Sequence, residues 1–456
     1  MLAAYFLLAA AAALWIVPTE VAAQDTDASL QLSPQQALDL ARQALVQGNI
    51  PLADAISAAL LERDPDDADA LMIRSLAARA AGAFDIAEEA AAQAYRISEI
   101  PALRFDAAFL IADIKARKEH FTRAQFWLRR ADNIAPDDQR RAAVTRAYQA
   151  VTRRNPLGVQ LRFTVRPSNN VNNGAETLII ELGGLPFNLD PSARQLSGYE
   201  ASTGVSLTYR LSEDETQKTE ALAELFHRKI WLSSRAKALA PDADGSDFDY
   251  SVVVAGIRQQ RLIWPDLGIT EIAGLFGQSW YGSEELARWG ALRLGQTVRQ
   301  SDVQQLRFGS TIRSEKRLDD DVNSSNSIAL SVDLTRAAES GGAFGFGTTF
   351  KNVWSDSATV DLSSIALRAY RSFDQIGAIQ PRLSASVEKR NYHEFNSVPG
   401  GRDDITMSLG VNVTLPDVSY FGFLPQLSLL SRRTWSTVDI YDRREISFGV
   451  TAVSRF

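Results

Sequence analysis

The residues able to do acid–base or metal chemistry are few and scattered. Three histidines occur, His120, His227 and His393, no two close in sequence, and there is no cysteine. Neither an H-E-x-x-H pair nor a thiolate cluster is available to hold a metal ion, so none is expected. The stretch DADGSDFD, Asp242 to Asp249, has the acidic spacing of a calcium loop. It lacks the glycine position and closing glutamate of a helix-loop-helix site and reads instead as a solvated hairpin loop. LDDDVNSSNS, residues 318–327, reads the same way. The glycines of GAFGFG are followed by no helix pattern, so they are small residues on a strand rather than a phosphate cradle. A Ser-His dyad is the one catalytic arrangement left open. The expectation is a protein that is not an enzyme and carries no cofactor.

The elements around these residues fall into two regions of different period. The 456 residues are 45% apolar, enough for two or three folded domains, and the net charge of −7 gives no basic surplus for nucleic acid. Without cysteine the chain cannot itself be lipidated at an N-terminal thiol. Residues 1–23, with an apolar run from Leu2 to Pro18 and small residues at Val21 and Ala23, read as a signal peptide cleaved after Ala23. An uncleaved anchor competes with that reading, because the first residues carry no Lys or Arg. No later segment has the ~20 consecutive apolar residues of a spanning helix. If the chain crosses a membrane, strands carry it.

Residues 24–155 are predicted to form periplasmic helical repeats. Gly48-Asn49-Ile50-Pro51-Leu52-Ala53, Gly82-Ala83-Phe84-Asp85-Ile86-Ala87 and Glu119-His120-Phe121-Thr122-Arg123-Ala124 align at offsets of 34 and 37 residues. That period, with a small residue where two helices must approach, is similar to the tetratricopeptide helix-turn-helix. The repeat's leading Trp and Tyr are missing, and an irregular bundle is the alternative. Such units bury their apolar faces only by stacking, and their concave side suits a peptide or partner protein.

From residue 156 to 456 the period becomes two. SIALSVDL sets Ile328, Leu330, Val332 and Leu334 against Ala329, Ser331 and Asp333, and ITMSLGVNVTL does the same from Ile405 to Leu415. A soluble sandwich would also alternate. Segments of about ten residues, tryptophans Trp231, Trp264, Trp280, Trp289, Trp354 and Trp435 near strand ends, and the cost of an open sheet edge in hydrocarbon together favour a closed barrel in lipid. Fourteen starts are expected, near Leu157, Glu200, Lys218, Asp249, Gly268, Leu286, Asp302, Ser324, Gly341, Thr359, Ala378, Arg402, Gly422 and Glu445. An even count returns both barrel ends to one side, where SEDET, WPDL and ESGG make short turns. The sequence ISFGVTAVSRF is the strand expected to close on Gly158 to Arg166, and Phe448, Val450, Ala452 and Phe456 form a barrel-assembly signal, weakened by Ser454.

The stretch RFTVRPSNNVNNGAETLIIELGGLPFNLDPSARQLSGYEAS, residues 162–202, is the most informative. Asn169, Asn170, Asn172 and Asn173 cluster after the first strand, and Leu178-Ile179-Ile180 and Leu185-Pro186-Phe187 put apolar groups inside a long loop. They are expected to be buried, as an extended hairpin or a plug, and are the candidates for touching a client. Motifs RPSNNVNN, GLPFNL and LSGY within the segment from Pro156 to about Arg210, behind a signal peptide and short repeats, resemble the surface lipoprotein assembly modulator family of Gram-negative bacteria.

That resemblance implies an N-terminal helical repeat domain followed by a 14-stranded antiparallel outer-membrane β-barrel, with lipid around it. It also implies a translocator that moves particular lipoproteins, or secreted haem- or metal-acquisition proteins, from periplasm to cell surface. The partners implied are the client, the barrel assembly machinery and a periplasmic chaperone. An exopolysaccharide export porin, which also joins repeats to a barrel, is the competing expectation.

Overall fold

Residues 32–182, 185–264, 267–396 and 398–454 are described by a computed structural model. The expected signal peptide and Phe456 lie outside these residues. Seven helices come first: α1 (Pro34–Val46), α2 (Ile50–Arg63), α3 (Ala68–Ala80), α4 (Phe84–Ile97), α5 (Pro101–Arg117), α6 (Phe121–Asn133) and α7 (Asp138–Arg154). Side-chain oxygens of Ser33, Asn49, Asp67 and Asp137 cap α1, α2, α3 and α7 by accepting orphan backbone N–H groups. The three aligned segments do one job. Gly48, Gly82 and Glu119 all take left-handed backbone, φ +76°, +79° and +60°, and the amide after each donates to a carbonyl five residues back. Five residues beyond, Ala53, Ala87 and Ala124 are each 0% exposed, because the paired helix crosses there with no room for bulk. The helices therefore stack as three hairpins with α7 added, and their cores run on from one another.

Strands follow: β1 (Leu157–Ser168), β2 (Ile179–Leu182), β3 (Leu185–Asn188), β4 (Gly198–Glu213), β5 (Gln217–Leu232), then helix α8 (Ser234–Leu239). After it come β6 (Tyr250–Trp264), β7 (Gly268–Tyr281), β8 (Glu284–Arg299), β9 (Gln304–Arg317), β10 (Ser325–Ala337), β11 (Ala343–Ser355), β12 (Leu362–Ser372), β13 (Gln380–Tyr392), β14 (Arg402–Thr414), β15 (Phe423–Ser436) and β16 (Arg443–Ser454). All but β2 and β3 form one closed antiparallel barrel of fourteen strands, each starting within three residues of its expected position. Phe163 pairs with Ala452 and Thr164 with Thr451 where β1 meets β16.

Alternation decides the two faces. Leu330, Phe346, Leu367, Met407 and Leu409 are exposed on the outside, while Asp333, Arg368 and Ser408 on the neighbouring positions face the lumen. An apolar exterior with every strand edge paired belongs in hydrocarbon. The chain is thus an outer-membrane barrel whose helical domain faces the periplasm, and the short SEDET, WPDL and ESGG turns fall on the helical side.

Trp231, Trp354 and Trp435 are about half exposed at the strand ends remote from the helices, as an interfacial girdle requires. Trp289 corrects that expectation. It points inward, 8% exposed, against Val254 and Leu275, with the Arg313 guanidinium 4.1 Å above its ring. A side chain on Gly277 would collide with the indole, so the glycine makes the inward rotamer possible. The Trp264 side chain lies outside the described residues.

Candidate functional site

Three surfaces are positioned to handle a partner. The first is the concave side of the helical stack, where α3, α5 and α7 line a groove of about 900 Å³ with a floor that includes Met72, Leu76, Phe109 and Val151. Two pairs of its rim charges satisfy each other: Arg42 with Asp69 at 2.6 Å and Arg79 with Asp113 at 2.8 Å. Burial pushes the Asp106 carboxyl upward, against the opposing pull of Arg140. Arg154 closes the groove one turn before the barrel begins.

The second surface is the lumen. Arg166 meets Glu200 at 2.9 Å, Arg307 meets Glu271 at 3.3 Å and Arg368 meets Asp333 at 2.9 Å, all from lumen-facing positions. Near the extracellular mouth Arg402 and Asp404 form a buried two-point pair, 2.6 and 3.1 Å. The guanidinium lies 3.9 Å from the Tyr392 ring centroid and 3.2 Å from that of Tyr441, which ties the β15–β16 loop to the wall.

The third is the loop 169–197 on the extracellular side. Asn169 Oδ1 accepts from Ile446 N at 2.7 Å, continuing the β1–β16 ladder one step by side chain. Asn170 exchanges hydrogen bonds with Gly174 backbone, and Asn172 bonds Ser192 O, Arg194 O and Leu196 N. The three amides are therefore consumed in shaping the loop, while Asn173 is exposed with φ +54°.

Burial of the loop's apolar run is corrected. Leu178, Ile179 and Phe187 are 58%, 52% and 47% exposed, because among the described residues no third element covers the β2–β3 hairpin. Val171 and Leu196 are buried instead, against Ile230 and Leu232 of β5, Ala236 of α8 and Ala240 just after it. The side chains of Leu185 and Pro186 lie outside the described set. Phe448 and Val450 face outward, about half exposed, and Ala452 sits between Phe163 and Pro425.

Catalytic geometry is thin. His227 Nδ1 lies 2.8 Å from Ser251 Oγ across β5 and β6, but among the described residues no second group orients the ring. Both residues lie within the paired β5–β6–β7 ladder, whose backbone amides are engaged between strands, and no oxyanion donor is seen beside the serine among the described residues. His393 bonds Asp361 instead. Among the described residues no cluster of His, Asp or Glu could hold a metal ion.

Contacts between helices and barrel had no sequence signal. On one stripe of α6, Asn133 Oδ1 accepts from Phe421 N at 3.5 Å and Arg129 bonds Ser454 Oγ at 3.2 Å. At its other end Thr122 and Gln125 hold the Asn155 amide, whose oxygen caps Leu157 N, the first residue of β1. Arg210 of β4 grips the carbonyls of Arg153 and Asn155. The lumen arginines were discoverable: Arg293 stands between Leu292 and Leu294, and Arg368 follows Leu367, where alternation sends them inward.

A membrane-spanning barrel that carries a periplasmic peptide-sized groove is built as a transport or channel protein. Residues 268–456, from β7 onward, match the family model described as surface lipoprotein assembly modifier. The match lies beyond the segment Pro156 to Arg210 that carries the sequence resemblance. No curated protein matches the chain.

Among solved structures, the type III secretion translocator chaperone SycD of Yersinia enterocolitica is 18% identical, with TM-score 0.25, covering 27% of this chain and 87% of its own. A bacterial polysaccharide outer membrane secretin is 10% identical, with TM-score 0.35, covering 65% and 98%. OccAB3 of Acinetobacter baumannii is 8% identical, with TM-score 0.34 and the same coverage. Likenesses this low carry no argument about function.

Proposed function

We propose that this protein is an outer-membrane translocator that delivers specific lipoproteins, or secreted haem- or metal-acquisition proteins, from the periplasm to the cell surface. The observation that carries this reading is the family match across residues 268–456, ten strands of the barrel and their loops. The geometry supports it. The groove ends at Arg154, beside the start of β1, so a segment held there lies at the periplasmic entrance of the lumen. On the far side, Leu178, Ile179 and Phe187 offer apolar contacts beside the exit. Asn173, Leu185, Pro186 and Phe187 are the residues we assign to client contact, with Asn169, Asn170 and Asn172 holding the loop that presents them. Strand 443–454, with Phe448, Val450 and Ala452, together with Phe456 after it in the sequence, serves recognition by the barrel assembly machinery, and a periplasmic chaperone hands over the client. Residues 24–155 act as the periplasmic domain once 1–23 are removed. Transport proceeds without nucleotide, driven by client folding outside or by burial of client strands.

Co-expression with candidate lipoproteins in a Gram-negative host, followed by protease shaving of intact cells, tests the proposal. Surface exposure of at least one candidate that depends on this protein is expected. Unchanged exposure of every candidate, or export of polysaccharide in its place, would overturn it.

A further inference from the structure

Two adjoining clefts in the lumen wall, on strands from β7 to β13, are lined by four arginines against two carboxylates, in a chain whose net charge is −7. Arg293, Arg307, Arg368 and Arg382 alternate with outward Leu292, Phe308, Leu367 and Leu383, so all four guanidinium groups face water inside the barrel. Glu271 and Asp333 each engage one arginine. Arg293 has no carboxylate partner among the described residues, and Arg382 rests on the Tyr370 ring at 4.0 Å. Both are exposed. The clefts beside them, about 550 and 410 Å³, share Asp333, Thr335 and Arg368 and so run together along the wall. Glycines shape this surface: a side chain on Gly347 would strike the Asp333 carboxylate, and one on Gly345 the Tyr370 ring.

Unpaired guanidinium groups in a channel with low-dielectric walls raise the local concentration of anions and repel cations. Their planar forks match carboxylates in particular. We propose that this wall is a track for anionic side chains, and that its occupant is an acidic, extended segment of a translocated polypeptide. The polypeptide half of that statement rests on the function proposed above. An extended chain repeats a side chain on one face about every 7 Å, a spacing that lets successive carboxylates move from one arginine to the next.

The test is conductance of the full mature protein in planar bilayers at 0.1 M KCl. Chloride permeability at least about threefold above potassium is expected, since the surplus charge sets a potential on the order of kT. Arg293→Glu/Arg382→Glu should bring the ratio below one, and Arg293→Lys/Arg382→Lys should keep it. These two positions leave no carboxylate orphaned, and heat-modifiable gel mobility verifies that each variant folds. Oligoglutamate added on the periplasmic side should block the wild type and lose at least tenfold in potency against the Glu variant. Cation selectivity, a ratio unmoved by charge reversal, or a silent channel would overturn the track. Equal or tighter block by an oligouronate would overturn polypeptide as its occupant. Failure of the shaving experiment with anion selectivity intact strikes the delivery function and leaves the anionic track standing.

Discussion

Removing Arg402 should destabilise the barrel far more than its place beside a loop suggests. Its side chain is 6% exposed and that of Asp404 2% exposed, and the two share two hydrogen bonds, so each is the other's direct counter-charge in a site removed from water. Arg402→Met preserves most of the stem volume and leaves the carboxylate with the Tyr392 hydroxyl at 3.3 Å as its remaining side-chain hydrogen bond among the described residues. Breaking a buried pair from one side costs about 3–5 kcal/mol. Loss of the aromatic contacts with Tyr392 and Tyr441 contributes up to roughly 2 kcal/mol within or beyond that range. Arg402→Met/Asp404→Leu removes both charges and should recover most of the loss, because the desolvation penalty disappears with them. The assay is urea unfolding of protein refolded into liposomes, followed by tryptophan fluorescence, with all four corners of the cycle. A single-variant loss under about 1 kcal/mol, or a double variant no better than Arg402→Met, would refute the claim that the pair is desolvated and interdependent.

Other outcomes test the remaining parts. Glu119 occupies left-handed backbone that Gly48 and Gly82 fill elsewhere, so Glu119→Gly should stabilise the helical domain by up to ~1 kcal/mol and Gly82→Ala should cost it ~1 kcal/mol, read by thermal circular dichroism. Leu409→Arg, on the outer face in mid-strand, should cost about 2–4 kcal/mol in liposomes, whereas Ser408→Arg next to it, facing the lumen, should cost well under half of that. Equal costs would contradict the assignment of faces. Asp214, in the turn between β4 and β5, is held at about 2 by the Thr216 amide and by the Gln217 and Thr216 side chains. A carboxyl lowered this way adds stability above its ordinary range and loses it as pH falls toward 2. Asp214→Asn should therefore lose stability at neutral pH and show a flatter acid dependence between pH 4 and 2.

The strands were readable because a two-residue period with an apolar outside is the only pattern a lipid-facing wall allows, and each turn resets it. The repeats were readable from Gly48 and Gly82, and Glu119 shows that the backbone conformation is retained even where its preferred residue is not. Trp289 was placed on the wrong face because tryptophan near a strand end suits either side, and the deciding fact, the missing side chain at Gly277, sits on another strand. Asn169, Asn170 and Asn172 were visible as a cluster, but that their amides close the loop depends on partners up to 277 residues away. The α6 contacts with Ser454 and Phe421 had no local pattern at all, being an encounter between two separately folded surfaces.

That encounter gives the short helix the role of a lintel. It reaches from the turn that joins β14 to β15, over the foot of β16, to the asparagine that fixes the first residue of β1. The two staves that shut the cylinder are thus fastened to one rigid beam at their periplasmic feet. A parting of those staves that begins from below has to lift the beam, and with it the whole helical stack.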